Sequence, residues 1–151
     1  MNGKRRLKKL KKDLKGHNPV ALDTNIFSYY FHKHPEFGEI SKKLISRLLE
    51  SNTKIITSNI TLAELLSLNA PSSLLKNLKK EILAFPLLEI IEVSNDIAIK
   101  AGGIRREYSL KLPDAIQLAT AIQSNAKAFI TNDQRLKKFK QIKIVLITEI
   151  T

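Results

Sequence analysis

Four acidic residues stand at positions in this sequence where a metal site is readily built. Asp23 directly follows the apolar run 20–22, and Asp133 comes two residues after the apolar run 128–131. Glu64 and Asp114 each fall in the first turn of a predicted helix. Carboxylate ligands without a histidine or cysteine beside them favour Mg²⁺ or Mn²⁺ over Zn²⁺. If the four side chains converge, the sequence predicts a site for a hard divalent cation.

Each of these acids also has a purely structural interpretation. Thr61 and Glu64 match the capping box S/T-x-x-E, in which the glutamate bonds back to the start of its helix. Asp114 would stabilise a helix dipole by about 0.3–1 kcal/mol, and Asp23 and Asp133 would cap the helices that follow them. Unpaired carboxylates are nevertheless rarely buried. Two of them repel by about 1–4 kcal/mol at a separation of ~4 Å, and a shared cation would offset that repulsion.

The elements that must position these acids follow from the hydrophobic pattern. Short apolar runs alternate with segments of helical periodicity, which predicts an α/β fold with a central parallel sheet of about five strands covered on both faces. Strands are predicted at 20–22, 54–58, 87–93, 128–131 and 143–147, helices at 37–50, 60–68, 73–83, 96–108 and 113–123, and a helix or turn at 26–31. In such sheets, ligands bind beyond the carboxyl ends of the strands, which is where the acids are expected.

Length and charge divide the 151 residues into two parts: a basic N-terminal extension, 1–18, and one domain, 19–151. The net charge is +12, and residues 1–15 supply +7 of it. The extension is either a solvated arm or a contact for nucleic acid or a protein partner. The chain has no cysteine, which excludes disulfides and thiolate metal sites and is compatible with the reducing cytoplasm, where we expect the protein. Its apolar runs are too short to span a membrane.

Four motifs in this order and spacing carry a resemblance to a known family. They are LDTNIF, ITLAELL, AIKAGGIRREYSLKLPDAIQLATA and FITNDQRLKKF, within the region from Val20 to about Ile147. The sequence resembles the PIN-domain family and, within it, the VapC-type ribonuclease toxins of type II toxin–antitoxin pairs. That resemblance implies a PIN-like three-layer α/β/α fold. It also implies that the catalytic and metal-binding residues are the four acids, Asp23, Glu64, Asp114 and Asp133.

The same resemblance implies an activity and partners. It implies a metal-dependent endoribonuclease that uses one or two Mg²⁺ or Mn²⁺ ions, acts on RNA, forms a homodimer and is neutralised by a cognate antitoxin. The helices at 37–50 and 61–83 would offer the antitoxin a hydrophobic groove. After Asp133, where the family sometimes has a further acid, this chain has Gln134 and Arg135, which leaves the number of metal ions open.

Further residues are assigned to supporting roles. We expect hydrogen bonds to the carboxylates from Thr24, Asn25, Thr131 and Asn132, although ordinary turn chemistry is the alternative and is favoured at Asn132. Phosphate contacts are expected from Arg105, Lys137 and Lys138, with a solvated basic surface as the alternative. Two other functions stay open: a PIN nuclease that processes RNA without a toxin role, and a non-catalytic nucleic-acid-binding module.

Overall fold

Five short parallel strands form one sheet at the centre of the protein. The computed structural model describes residues 5, 8, 9, 12 and 14–150. The strands are β1 (Val20–Leu22), β2 (Ile55–Ser58), β3 (Leu88–Ile91), β4 (Ala128–Thr131) and β5 (Lys143–Leu146). Each lies within two residues of its predicted bounds. The predicted fold class is therefore confirmed.

Seven α-helices and one 3₁₀ helix accompany the strands in the described part of the chain, and the last of them follows β5. The α-helices are α1 (Thr24–Phe31), α2 (Gly38–Glu50), α3 (Ile60–Leu66), α4 (Ser72–Leu83), α5 (Asn95–Tyr108), α6 (Leu112–Gln123) and α7 (Ile147–Ile150). The 3₁₀ helix covers Gln134–Lys138.

The sheet buries both of its faces, because alternate side chains of a strand point to opposite sides. Val20 and Leu22 belong to a core built with α1, α2 and α4, whereas Ala21 lies in the core formed with α5 and α6. Phe129 of β4 joins the second core and Ile130 the first. This double burial explains why the strands read as continuous apolar runs, as is usual in parallel sheets.

The strand order places β1 in the middle of the sheet, so its carboxyl end lies at the centre of the edge where the acids are expected. The order is β3-β2-β1-β4-β5, so the chain builds outward from β1 on one side and then returns to its other side. Beyond β1, the backbone N–H of Asp23 donates to the carbonyl of Ile130 at 2.9 Å. This reversal is a topological switch point, and the crevice outside the carboxyl ends of β1 and β4 is where such sheets bind ligands.

At the opposite edge of the sheet, a short link leads from the basic extension into β1. Gly16 has φ +78°, which favours glycine, and the Asn18 side chain accepts a hydrogen bond from the Lys54 N–H at 3.0 Å. Much of the predicted extension, at residues 1–4, 6, 7, 10, 11 and 13, lies outside the described residues. No helix formed by the described residues has the length and apolarity that crossing a bilayer requires.

Candidate active site

The four predicted acids line one cleft at the carboxyl edge of the sheet. The cleft has a volume of about 310 Å³ and is lined by Asp23, Thr24, Asn25, Ser28, Glu64, Leu65, Leu68, Asp114 and Asp133. Four different parts of the fold deliver the acids: the end of β1, helix α3, the first turn of α6, and the link between β4 and the 3₁₀ helix. Folding thus brings together side chains that are far apart in the sequence.

Asp23 is the buried member of the cluster, with 7% of its surface exposed. One of its oxygens accepts the N–H of Thr24 at 2.8 Å and so caps α1, and the other accepts the hydroxyl of Thr131 at 2.7 Å. Asn25 places its amide nitrogen 3.5 Å from that second oxygen. Capping and a place in the cleft are therefore compatible at this residue, because its two oxygens face different neighbours.

Burial raises the pKa of Asp23 to about 7. The negative charges of Asp114 and Glu64 act in the same direction as burial, whereas the hydrogen bonds from Thr131 and Thr24 lower this pKa. A carboxylate that is buried among other carboxylates is unstable in its charged form unless a cation joins it.

Glu64 does not form the capping box suggested by the sequence. Helix α3 begins at Ile60, and its N-cap is Asn59, without a side-chain hydrogen bond to the helix. The Glu64 carboxylate instead accepts the hydroxyl of Thr24 at 2.9 Å. The capping-box interpretation is wrong because the helix starts one residue before Thr61, whose hydroxyl lies 2.7 Å from that of Thr57.

Gln117 was not predicted as a site residue from the sequence, yet its side chain forms hydrogen bonds with several residues around the acids. Its side chain is 2% exposed, and its amide nitrogen donates to the hydroxyls of Thr24 at 3.1 Å and Thr61 at 2.8 Å. Its amide oxygen accepts the N–H of Ser58 at 3.3 Å. A polar residue three positions after Asp114, in a stretch otherwise rich in Ala, Ile and Leu, is the signal that could have found it.

Asp114 and Asp133 both face the cleft, but they differ in their hydrogen bonds and in the direction in which their pKa values are shifted. Asp114 is partly buried and accepts no hydrogen bond from the described residues; burial, followed by the charges of Asp133 and Glu64, raises its pKa. Asp133 caps the 3₁₀ helix by accepting the Arg135 N–H at 2.9 Å. The Arg135 guanidinium also contacts both Asp133 oxygens, at distances from 2.5 to 3.1 Å, and its hydrogen bond lowers the pKa of Asp133.

The donors in this cleft fit a hard cation in chemistry. They are carboxylate, hydroxyl and amide oxygens, and neither Asp23 nor Asp114 forms an ion pair among the described residues. Among the described residues, no three acidic, histidine or cysteine side chains lie close enough together to hold a metal ion directly. Mg²⁺ does not require such a group, because it keeps several waters and binds proteins through one or two carboxylates.

The remaining predicted site residues form no hydrogen bond with the four acids in the described part of the chain. Asn132 donates to the hydroxyl of Tyr29 at 2.9 Å rather than to a carboxylate. Lys137 pairs with Glu149 at 2.7 Å and donates to a backbone carbonyl of β5. Arg105 on α5 and Lys138 in the 3₁₀ helix are exposed to solvent.

A second, larger cavity lies near the amino ends of β1 and β2, at the opposite edge of the sheet. Its volume is about 900 Å³, and it is lined by Lys8, Lys12, Leu14, Lys15, Gly16, His17, Asn18, Arg47, Leu48, Glu50, Ser51 and Thr53. Arg47 pairs with Glu50 at 3.2 Å. We call this the basic cavity, because its three lysines leave it with a positive charge.

The sheet order and the acid-lined cleft define a known class of domain. The family model of the PIN domain matches residues 20–142, and the chain belongs to the PIN-domain family. The resemblance predicted from the four motifs is thereby confirmed, including its likeness to the VapC-type toxins. No protein with a curated description matches the chain significantly.

Several solved structures share this fold. A chain of VapBC2 from Rickettsia felis, bound to a DNA fragment from its promoter, has a TM-score of 0.69 and 26% identity, and the match covers 84% of this chain and 97% of that chain. A toxin–antitoxin complex from Klebsiella pneumoniae gives 0.60 and 30%, covering 85% and 97%. VapC20 from Mycobacterium tuberculosis, a toxin that cleaves the sarcin–ricin loop, gives 0.62 and 16%, covering 82% and 98%.

Proposed function

We propose that this protein is a metal-dependent endoribonuclease and the toxin of a toxin–antitoxin pair. The observation that carries the proposal is that four acids from four elements line one cleft of a PIN domain. The likeness to the Klebsiella pneumoniae toxin–antitoxin complex, at 30% identity over nearly all of that chain, supports the toxin role.

In this proposal, Asp23, Glu64, Asp114 and Asp133 hold Mg²⁺ or Mn²⁺, in part through water. A bound divalent cation would make a water molecule nucleophilic near neutral pH and polarise a phosphoryl oxygen of the RNA. The protein contributes the positions of the oxygens. The Thr131 hydroxyl orients Asp23, and the Thr24 hydroxyl orients Glu64, before any ligand arrives.

Exposed cations near the acidic edge would hold the RNA backbone. Arg105 and Lys138 are open to solvent, which suits them to phosphate contacts. Lys137 would have to exchange its pair with Glu149 for a phosphate, so we expect it to contribute less.

The protein partners in this proposal are a second copy of the chain and a cognate antitoxin, in the cytoplasm. The groove predicted for the antitoxin is supported by exposed leucines around α4. Leu74 is 59% exposed, Leu83 is 58% exposed, and Leu68, on the wall of the acidic cleft, is 42% exposed. An amphipathic antitoxin segment that covered Leu68 would also reach the cleft.

Cleavage of total RNA in Mg²⁺ or in EDTA, mapped for the wild type and for Asp114→Asn, tests the function. We expect cleavage in Mg²⁺ to fall by roughly 10²- to 10⁴-fold in the variant, the range for losing a positioned catalytic group. The matched control is Asp96→Asn, which makes the same charge change at an exposed position of α5. Cleavage that persisted in EDTA would contradict the proposed metal dependence. RNA binding without cleavage would favour a non-catalytic nucleic-acid-binding module. Metal-dependent cleavage without arrest of growth on expression would favour RNA processing.

A further inference from the structure

Arg135 occupies one side of the acidic cleft. Its guanidinium is 2.5 Å from one Asp133 oxygen and 3.0 Å from the other, a forked contact that matches the shape of a carboxylate. Asp133 lines the cleft together with Asp23, Glu64 and Asp114. The guanidinium therefore supplies a counter-charge to one of the four acids.

The Arg135 side chain is placed as a counter-charge at the mouth of the cleft rather than as part of the core. It is 59% exposed, whereas that of Asp133 is 19% exposed. Exposed ion pairs add little to folding stability, so this contact is poorly explained as a structural brace. Its effect falls instead on the electrostatic field inside the cleft.

The two halves of the cleft differ as a result. Asp133 has a cation in contact, whereas Asp23, Glu64 and Asp114 form no ion pair among the described residues. On the side of Asp23, Glu64 and Asp114, the described part of the chain places no cation against a carboxylate. A diffusible cation gains most by binding there.

We propose that Arg135 is a resident cation of the cleft, which neutralises Asp133 and leaves the other three acids to a single divalent ion. This inference rests on the proposed metal-dependent function: it limits Asp133 to a contact with the ion through water, and it adds the number of ions and the residue that limits it. A second ion next to Asp133 would have to displace the guanidinium from the carboxylate. It would then also be repelled by the positive charge of the displaced guanidinium nearby.

Titration of the RNA-free protein with Mn²⁺, followed by calorimetry and by electron paramagnetic resonance of free Mn²⁺, tests this proposal. The wild type should bind one ion. Arg135→Gln should bind a second ion or bind the first on the order of fivefold more tightly, because a positive charge has left the cleft. Arg135→Lys keeps the charge and should retain one ion. The matched control is Arg106→Gln, the same charge change on an exposed part of α5.

The outcomes separate this inference from the function on which it rests. Two ions in the wild type, or equal counts and affinities in the wild type and Arg135→Gln, would overturn the role of Arg135 and leave a metal site standing. Absence of Mn²⁺ binding in every variant would overturn both. An unchanged melting temperature of Arg135→Gln would show that the variant reports on the cleft and not on folding.

Discussion

The two ends of β1 carry opposite charges and hold them in different ways. At the carboxyl end, Asp23 is buried and receives hydrogen bonds from two elements of the fold. At the amino end, the lysines of the basic cavity are exposed side chains, and the exposed Glu50 already pairs with Arg47.

This difference between the acidic cleft and the basic cavity shows how the role of charged side chains depends on whether their positions are fixed. The acidic cleft has oriented oxygens, which is what positioning a metal ion and its water requires. The basic cavity has charge on long, flexible side chains, which attracts an anion without fixing its orientation. We therefore expect substitutions in the acidic cleft to alter turnover and metal binding. Substitutions in the basic cavity should alter only the affinity for RNA.

The largest expected effect is a pH dependence of stability that originates at Asp23. Its pKa is raised from 3.8 to about 7, so the folded state holds this proton more strongly than the unfolded state. Stability from this group is fully present below about pH 4 and is lost as the pH rises through 7, by up to about 4 kcal/mol. In EDTA, Asp23→Asn should lack this loss when urea unfolding is measured from pH 4.5 to 8.

The difference between the two proteins isolates Asp23, because Asp133, whose lowered pKa acts in the opposite direction, is the same in both. Asp96→Asn, an exposed site on α5, should keep the wild-type slope. Parallel curves for the wild type and Asp23→Asn would show that Asp23 is not the source.

The second expected effect concerns Gln117, which positions Glu64 through Thr24. Gln117→Leu leaves the Ser58 N–H and two threonine hydroxyls without this partner, and it should lower the free energy of unfolding by about 2–3 kcal/mol. At a temperature where the variant is folded, kcat should fall while KM stays near the wild-type value. Gln123→Leu, exposed on the same helix, is the control. Loss of stability with an unchanged kcat would leave Gln117 a structural role only.

The third prediction tests the other end of β1. The double variant Lys12→Glu and Lys15→Glu should bind RNA about tenfold more weakly at low salt, with a salt-dependence slope smaller by about 1.4. Its kcat should not change. Fluorescence anisotropy of a labelled RNA gives the affinity, and Lys79→Glu with Lys80→Glu on α4 provides the same charge change elsewhere. An equal loss in both pairs would mean that net charge, and not the cavity, attracts the RNA.

The smallest effect is expected from Asp114→Asn in the absence of metal. Removing one of several mutually repelling carboxylates should raise the free energy of unfolding at pH 7.5 in EDTA by about 1 kcal/mol. Asp114 also lies in the first turn of α6, where a negative charge stabilises the helix. A decrease in stability would show that this dipole interaction outweighs the repulsion in the cleft.

The sequence predicted the acidic edge well because the required signals are local. Apolar runs that end in Asp23 or Thr131 indicate both a strand and the residue at its carboxyl end. The register between β1 and β4 then follows from the parallel fold, and it aligns Leu22 with Ile130. Long, periodic helices such as α2 were predicted to within one residue for the same reason.

Contacts made across the fold were not predictable in this way. Gln117 meets the Ser58 N–H from 59 positions along the chain, and Lys137 meets Glu149 of α7 from 12 positions along the chain. The capping box at Glu64 failed because the helix begins one residue before Thr61, and the Glu64 carboxylate accepts a hydrogen bond from the tertiary partner Thr24 instead. A local pattern records which hydrogen bonds are possible, and packing decides which one forms.

The central place of β1 also constrains the order in which the protein can be made. As residues leave the ribosome, β1 can pair with β2 early, but its other neighbour, β4, begins only at Ala128. Until that segment is synthesised, the newly made polypeptide has an open strand edge and lacks Asp133, Arg135 and the Thr131 hydroxyl. A nascent or truncated chain would consequently lack the complete cleft, and in the proposed function it could cleave RNA only after translation has passed β4.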